Sequence, residues 1–137
     1  MRITNLPSGM LSVNTYLAVD EETNKGIIVD PGGYNKALTN AVAENGTNIE
    51  YIIITHGHSD HICGVNEHKE EFPNAKVVAY KDEEPMLLSP DMNQSIAFGQ
   101  PYTVKADILV SDGDELDFGN LTMKFMHTPG HTKGGMC

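Results

Sequence analysis

The apolar positions along the chain fall into short runs of two kinds, and their succession sets out an α/β order. "TYLAV" (15–19) and "KGIIVD" (25–30) are β-rich runs separated by the polar "DEETN", the pattern of a β-hairpin. "DPGG" (30–33) reads as a turn. Ala37, Leu38, Ala41 and Val42 then recur at helical spacing, and "ENG" (44–46) supplies a C-terminal stop. "IEYIIIT" (49–55) is continuously apolar, which predicts a strand covered on both faces. "GVNEHKEEFP" (64–73) predicts a helix ending before Pro73, followed by the strand "KVVAY" (76–80). "KDEEPMLL" (81–88) predicts a short helix with Asp82 as its cap and acids in its first turn.

Residues 89–107 show weak periodicity and several turn formers, and irregular segments of this length often lie beside functional sites. "DELDFGNLTMKFMHT" (114–128) predicts a hairpin turning at Gly119–Asn120, with Leu121, Met123, Phe125 and His127 alternating onto one face. The order is hairpin, helix, strand, helix, strand, helix, hairpin. That is an α/β layered domain, read as one unit over residues 1–137.

Composition narrows the function classes. Nine basic against nineteen acidic residues give a formal charge of −10, and the basic residues are scattered singly. Such a field repels phosphate backbones, so nucleic acid is excluded as the expected partner. No run approaches the length of a membrane span, and "MRITNLPSGM" lacks the apolar block of a signal peptide. Cys63 and Cys137 form no CxxC pair. The expected location is the cytoplasm.

Candidate chemistry is concentrated in "THGHSDH" (55–61), where three of the six histidines and an aspartate follow a buried strand. Neutral imidazole and carboxylate are, beside thiolate, the usual protein ligands of zinc. Residues two apart in extended chain point the same way, so His56 and His58 can reach one ion together. Asp60 and His61 can face a second ion if the chain curls after His58. A further ligand must come from elsewhere. His131 lies in a loop past Pro129–Gly130 and is the better-placed candidate, whereas His127 falls on the inward face of a strand and reads as a core or supporting histidine. His68, among Glu67, Lys69, Glu70 and Glu71, reads as part of a solvated helix face. Cys63 reads as a buried small apolar residue.

"THGHSDH" followed by "TPGHT" resembles the metallo-β-lactamase superfamily, particularly its glyoxalase II-like branch of small hydrolases. "VDPG" (29–32), "DGDEL" (112–116) and the "FGNLTMKFMHTPGHT" hairpin add to the resemblance. It implies an αββα sandwich with the active site at one edge between two sheets. It implies that His56, His58 and His131 bind a first metal and that Asp60 and His61 contribute to a second. Asp60 would also be the catalytic carboxylate that orients the nucleophile, and Asp30 would steady the histidine loop. The implied activity is hydroxyacylglutathione hydrolase-like: hydrolysis of a small ester or thioester by metal-bound hydroxide. One or two zinc ions fit, and iron or manganese accept the same ligands. Two alternatives stand beside this reading: a persulfide dioxygenase-like enzyme with one iron, and a catalytically inactive metal-binding fragment.

The chain departs from the pattern after "TPGHT". Family members continue into a strand and an "FTGDTLF"-like segment whose aspartate bridges the two metals, whereas this sequence stops six residues after His131. The expectation is therefore a shortened family domain with its second sheet incomplete. Its uncovered apolar sheet face would favour self-association.

Overall fold

The computed structural model describes residues 1–137. Six strands form one mixed sheet in chain order: β1 (Arg2–Asn5), β2 (Tyr16–Asp20), β3 (Lys25–Val29), β4 (Asn48–Ile53), β5 (Lys76–Tyr80) and β6 (Ile108–Val110). The first three pair antiparallel, and β3 through β6 run parallel. Parallel neighbours need crossovers. Helix α1 (Lys36–Asn45) joins β3 to β4, and α2 (Ser59–Ile62) with α3 (Val65–Glu71) joins β4 to β5. A 3₁₀ turn (Lys81–Glu83), α4 (Glu84–Leu87) and an irregular stretch lead to β6. Strands β7 (Glu115–Phe118) and β8 (Leu121–Lys124) make a separate hairpin.

Strand periodicity divides the core into two layers. Leu17, Ile28, Ile52 and Val77 point to the helical side, where they pack with Leu38, Val42, Ile62, Val65 and Leu87. Their immediate neighbours Ala18, Ile27, Ile53 and Val78 point the other way, onto Phe118, Phe125 and Met136. This two-sided burial is the reason for the unbroken apolar run in "IEYIIIT". Each fully buried side chain such as Ile52 or Leu38 stabilises the fold by about 1.5–3 kcal/mol. The hairpin covers its face of the sheet only in part: a cavity of about 280 Å³, lined by Ile27, Val29, Ile53, Met123 and Phe125 among others, opens between them. The chain thus supplies a helical layer, a six-stranded sheet and a two-stranded sheet, an α/β layered arrangement. No helix is long and apolar enough to cross a membrane.

Most predicted elements form, and their ends follow local chemistry. The Asn35 side chain accepts from the N–H groups of Ala37 and Leu38 to start α1, and Gly46 at φ +60° ends it. The short strands β1 and β6 and the single-turn α2 carry too few residues for a period, and the sequence reading missed them. Asp82 caps nothing; the 3₁₀ turn starts from Tyr80 in extended conformation, without a side-chain cap. His68 is fully buried rather than solvated, stacked on Tyr34 (5.3 Å) and Phe72 (6.3 Å) beneath α3. The run of charged neighbours, of which Glu70 and Glu71 are exposed, disguises that inward face. Cys63 is only half-buried.

Candidate metal centre

Three consecutive parallel strands deliver polar side chains to one end of the sheet, where α/β folds commonly build sites. The chain leaves β3 through Asp30, whose φ of +48° lies in the left-handed region that aspartate tolerates. Its buried carboxylate accepts from the Thr55 N–H (2.7 Å), the Thr55 hydroxyl and Nδ1–H of His61 (3.0 Å). Those bonds fix the start of the histidine loop and leave His61 Nε2 free. That nitrogen lies 3.7 Å from Oδ2 of Asp60.

After β4 the chain carries His56 and His58 outward to meet His131. One ligand-type nitrogen from each of the three lies within 4.8 Å of the others. Nδ1 of His58 is 3.0 Å from Nε2 of His131, and Nδ1 of His56 faces the Thr55 hydroxyl at 3.2 Å. The ring planes cross at 75–89°, so the rings surround a shared point instead of stacking. Tetrahedral zinc with Zn–N of about 2.0–2.1 Å would hold its nitrogens about 3.3 Å apart, which this cluster approaches. Asp30, His56 and His61 also converge within 4.8 Å. Asp30 already accepts three hydrogen bonds, however, which hold it against Thr55 and His61.

The electrostatics prepare these rings for a cation. Burial, with the neighbouring His61 ring, pushes the His56 pKa down to about 4. Burial and then His131 lower that of His58. Burial also opposes charge on His61, but the hydrogen bond and charge of Asp30, joined by Asp60, outweigh it and raise its pKa. His56 and His58 are therefore neutral at neutral pH, the form in which imidazole binds metal.

His131 arrives on a loop closed at its base by a bridge between His127 and Met136. Thr128 donates to the Gly135 carbonyl (2.8 Å), and Met136 donates to the Thr55 carbonyl (2.9 Å), tying this loop to the histidine loop after β4. His127 stands apart from the three-histidine cluster. Its ring stacks on Tyr80 (4.2 Å), and its Nε2 pairs with the Lys133 carbonyl (2.9 Å). It braces the far side of the His131 loop. The irregular stretch after residue 89 does border the site: Asn93 accepts from the Ser59 N–H through its carbonyl, and Gln94 Nε2 reaches His58 Nε2 at 3.4 Å. Beside Asp60 lies a cavity of about 350 Å³, walled by Met10, Leu11, Tyr34, Cys63, Glu67 and Phe98 among others. Glu83 escaped the sequence reading. It is buried with its carboxylate bonded to the backbone of Gly57 and Gly134, and "KDEE" gave no sign of that beyond its place after a parallel strand.

The family model described as the metallo-beta-lactamase superfamily matches residues 8–137. The chain belongs to that superfamily. A hydroxyacylglutathione hydrolase of Francisella philomiragia is 36% identical over 122 residues, covering 89% of this chain and 40% of the relative. An uncharacterized protein of Mycobacterium leprae is 32% identical over 146 residues, covering all of this chain and 66% of the relative. Among solved structures, the BLEG-1 B3 metallo-beta-lactamase superimposes with a TM-score of 0.88 at 30% identity, over 98% of this chain and 65% of that one. The chain thus spans two thirds or less of the length of these superfamily members.

Proposed function

We propose that the protein is a metal-dependent hydrolase of small thioesters or esters. The observation that carries this reading is the convergence of His56, His58 and His131, three imidazoles from two loops, with burial lowering the pKa of His56 and His58. The similarity to a hydroxyacylglutathione hydrolase supports it. A divalent ion held by these rings would supply a Lewis acid that acidifies water and polarises a carbonyl. Zinc, iron and manganese all suit the donor set.

The chain's own residues do the rest. The Asp60 carboxylate stands beside His61 Nε2, where it orients the attacking water and takes its proton. His61, locked by Asp30, joins Asp60 as the start of a second cation position. The cavity next to Asp60 receives part of the substrate. Its charged walls are Asp60 and Glu67, with no cation among them, so it favours neutral or cationic groups over carboxylates.

The test is to strip the protein with a chelator, reload it with zinc, iron or manganese, and assay a panel of thioesters, lactones and β-lactams. Thioester hydrolysis that disappears on chelation and returns with metal is the expected result. A fully loaded protein that turns over no panel member would refute the hydrolase reading. Oxygen consumption at one iron per chain would replace it with the dioxygenase.

A further inference from the structure

Glu83 is the most deeply buried carboxylate of the chain, 1% exposed, and no basic side chain pairs with it. Its Oε1 accepts the N–H of Gly57 at 2.7 Å, and its Oε2 accepts the N–H of Gly134 at 2.7 Å. Gly57 separates His56 from His58, and Gly134 lies just past His131. One side chain therefore grips both loops that supply the three histidines. We propose that Glu83 is a positioning residue that sets the distance between these loops and so pre-forms the metal centre. This inference rests on the reading of His56, His58 and His131 as ligands.

Burying a carboxylate is costly unless it is well compensated, and here its partners are two neutral N–H groups. A purely structural filler would be apolar at lower cost. The arrangement suits a carboxylate and little else. Two donors face it, and a carboxamide could accept from only one while turning its own N–H₂ toward the other. The glycines fit the same purpose. A Cβ on Gly134 would come within 2.4 Å of the Glu83 nitrogen and 2.6 Å of Oε2. One on Gly57 would press on Met86 and Leu87 at 3.1–3.3 Å. Both loops thus lie directly against the short helical segment that holds the carboxylate.

The test compares the purified protein with its E83Q and G134A variants, using Co²⁺ alone as the probe. Three quantities are read: the Co²⁺ dissociation constant, the visible spectrum of the bound ion, and hydrogen exchange at the Gly57 and Gly134 amides. Both variants should bind Co²⁺ about 10–100-fold more weakly, the usual effect of removing a group that orients metal ligands. The spectrum should change, and the two glycine amides should lose protection while amides of β4 and β5 keep theirs. Unaltered affinity and spectrum in E83Q, with wild-type binding intact, would overturn this inference alone. Failure of the wild type to bind Co²⁺ would overturn the ligand reading and this inference with it. Should E83Q not fold, G134A decides, since it keeps the carboxylate but forces the His131 loop and the Asp82–Glu83 turn apart, and unaltered affinity and spectrum there would overturn the inference.

Discussion

The two cation positions proposed for this site are built in opposite ways. Asp60 and His61 are adjacent in sequence and sit on the single turn of α2, and one neighbour, Asp30, holds the His61 ring. His56, His58 and His131 come from loops more than seventy residues apart, joined through Glu83 and backbone bonds. The first pair is a local motif whose geometry a few residues can fix. The histidine trio is a product of the whole fold, because it exists only where the β4 loop and the loop after β8 are pressed together. Mutations far from the trio should therefore reach it, whereas the Asp60–His61 pair should answer mainly to its own anchor.

The largest effect should come from breaking the trio itself. H58A removes one of three imidazoles, and metal analysis after dialysis should show the ion of that position lost, with the fold retained by circular dichroism. Unchanged metal content would contradict the ligand assignment. Next is D30N, which takes charge from an acceptor of three hydrogen bonds. Denaturant titration should show a loss of about 2–3 kcal/mol, since bonds to charged groups contribute about 1.5–3 kcal/mol. The second position should weaken more than the first.

A smaller, more local perturbation is G32A. A Cβ on Gly32 would lie 1.9 Å from the Asp60 carbonyl oxygen, so the turn and α2 must move apart. The expected cost is about 1–3 kcal/mol. Turnover should fall through displacement of Asp60, while metal retention by the trio stays near wild type. Equal losses at both positions would erase the distinction drawn here.

The smallest effect belongs to D107N, which touches neither position. Partial burial opposes charge on Asp107, but the Val77 N–H (2.8 Å) and Lys69 (3.3 Å) outweigh it and hold its pKa below the usual carboxylate value. A depressed carboxylate stabilises the fold above its unfolded-state pKa of 3.8, and that contribution is lost as pH falls through the lower native value. The stability gap between wild type and D107N should be under about 1 kcal/mol at pH 7, because the pair is partly exposed. It should close in acid, with metal content unaffected throughout.

The contrast between the two positions also explains what the sequence could reveal. "THGHSDH" is contiguous, so its cluster of ligand-type side chains is readable in the sequence, and the turn in "TPGHT" marks His131, which the fold brings beside it. The strands β2 to β5 were legible because each buries two faces and advertises it in composition. Glu83 was illegible: nothing local separates it from Asp82 or Glu84, and its role arises from two glycines brought together by folding. His68 misled for a related reason, since one inward-facing ring on α3 was outvoted by the charges flanking it.

The central claim, that the fold assembles three imidazoles into one metal position, is tested most directly by titrating the metal-free protein with zinc while observing histidine ring nitrogens by NMR. The ring signals of His56, His58 and His131 should move together as zinc is first added, His58 through Nδ1, while His68 and His127 stay in place. Zinc uptake that leaves those three rings unmoved, or that goes to the thiols of Cys63 or Cys137, would contradict the account.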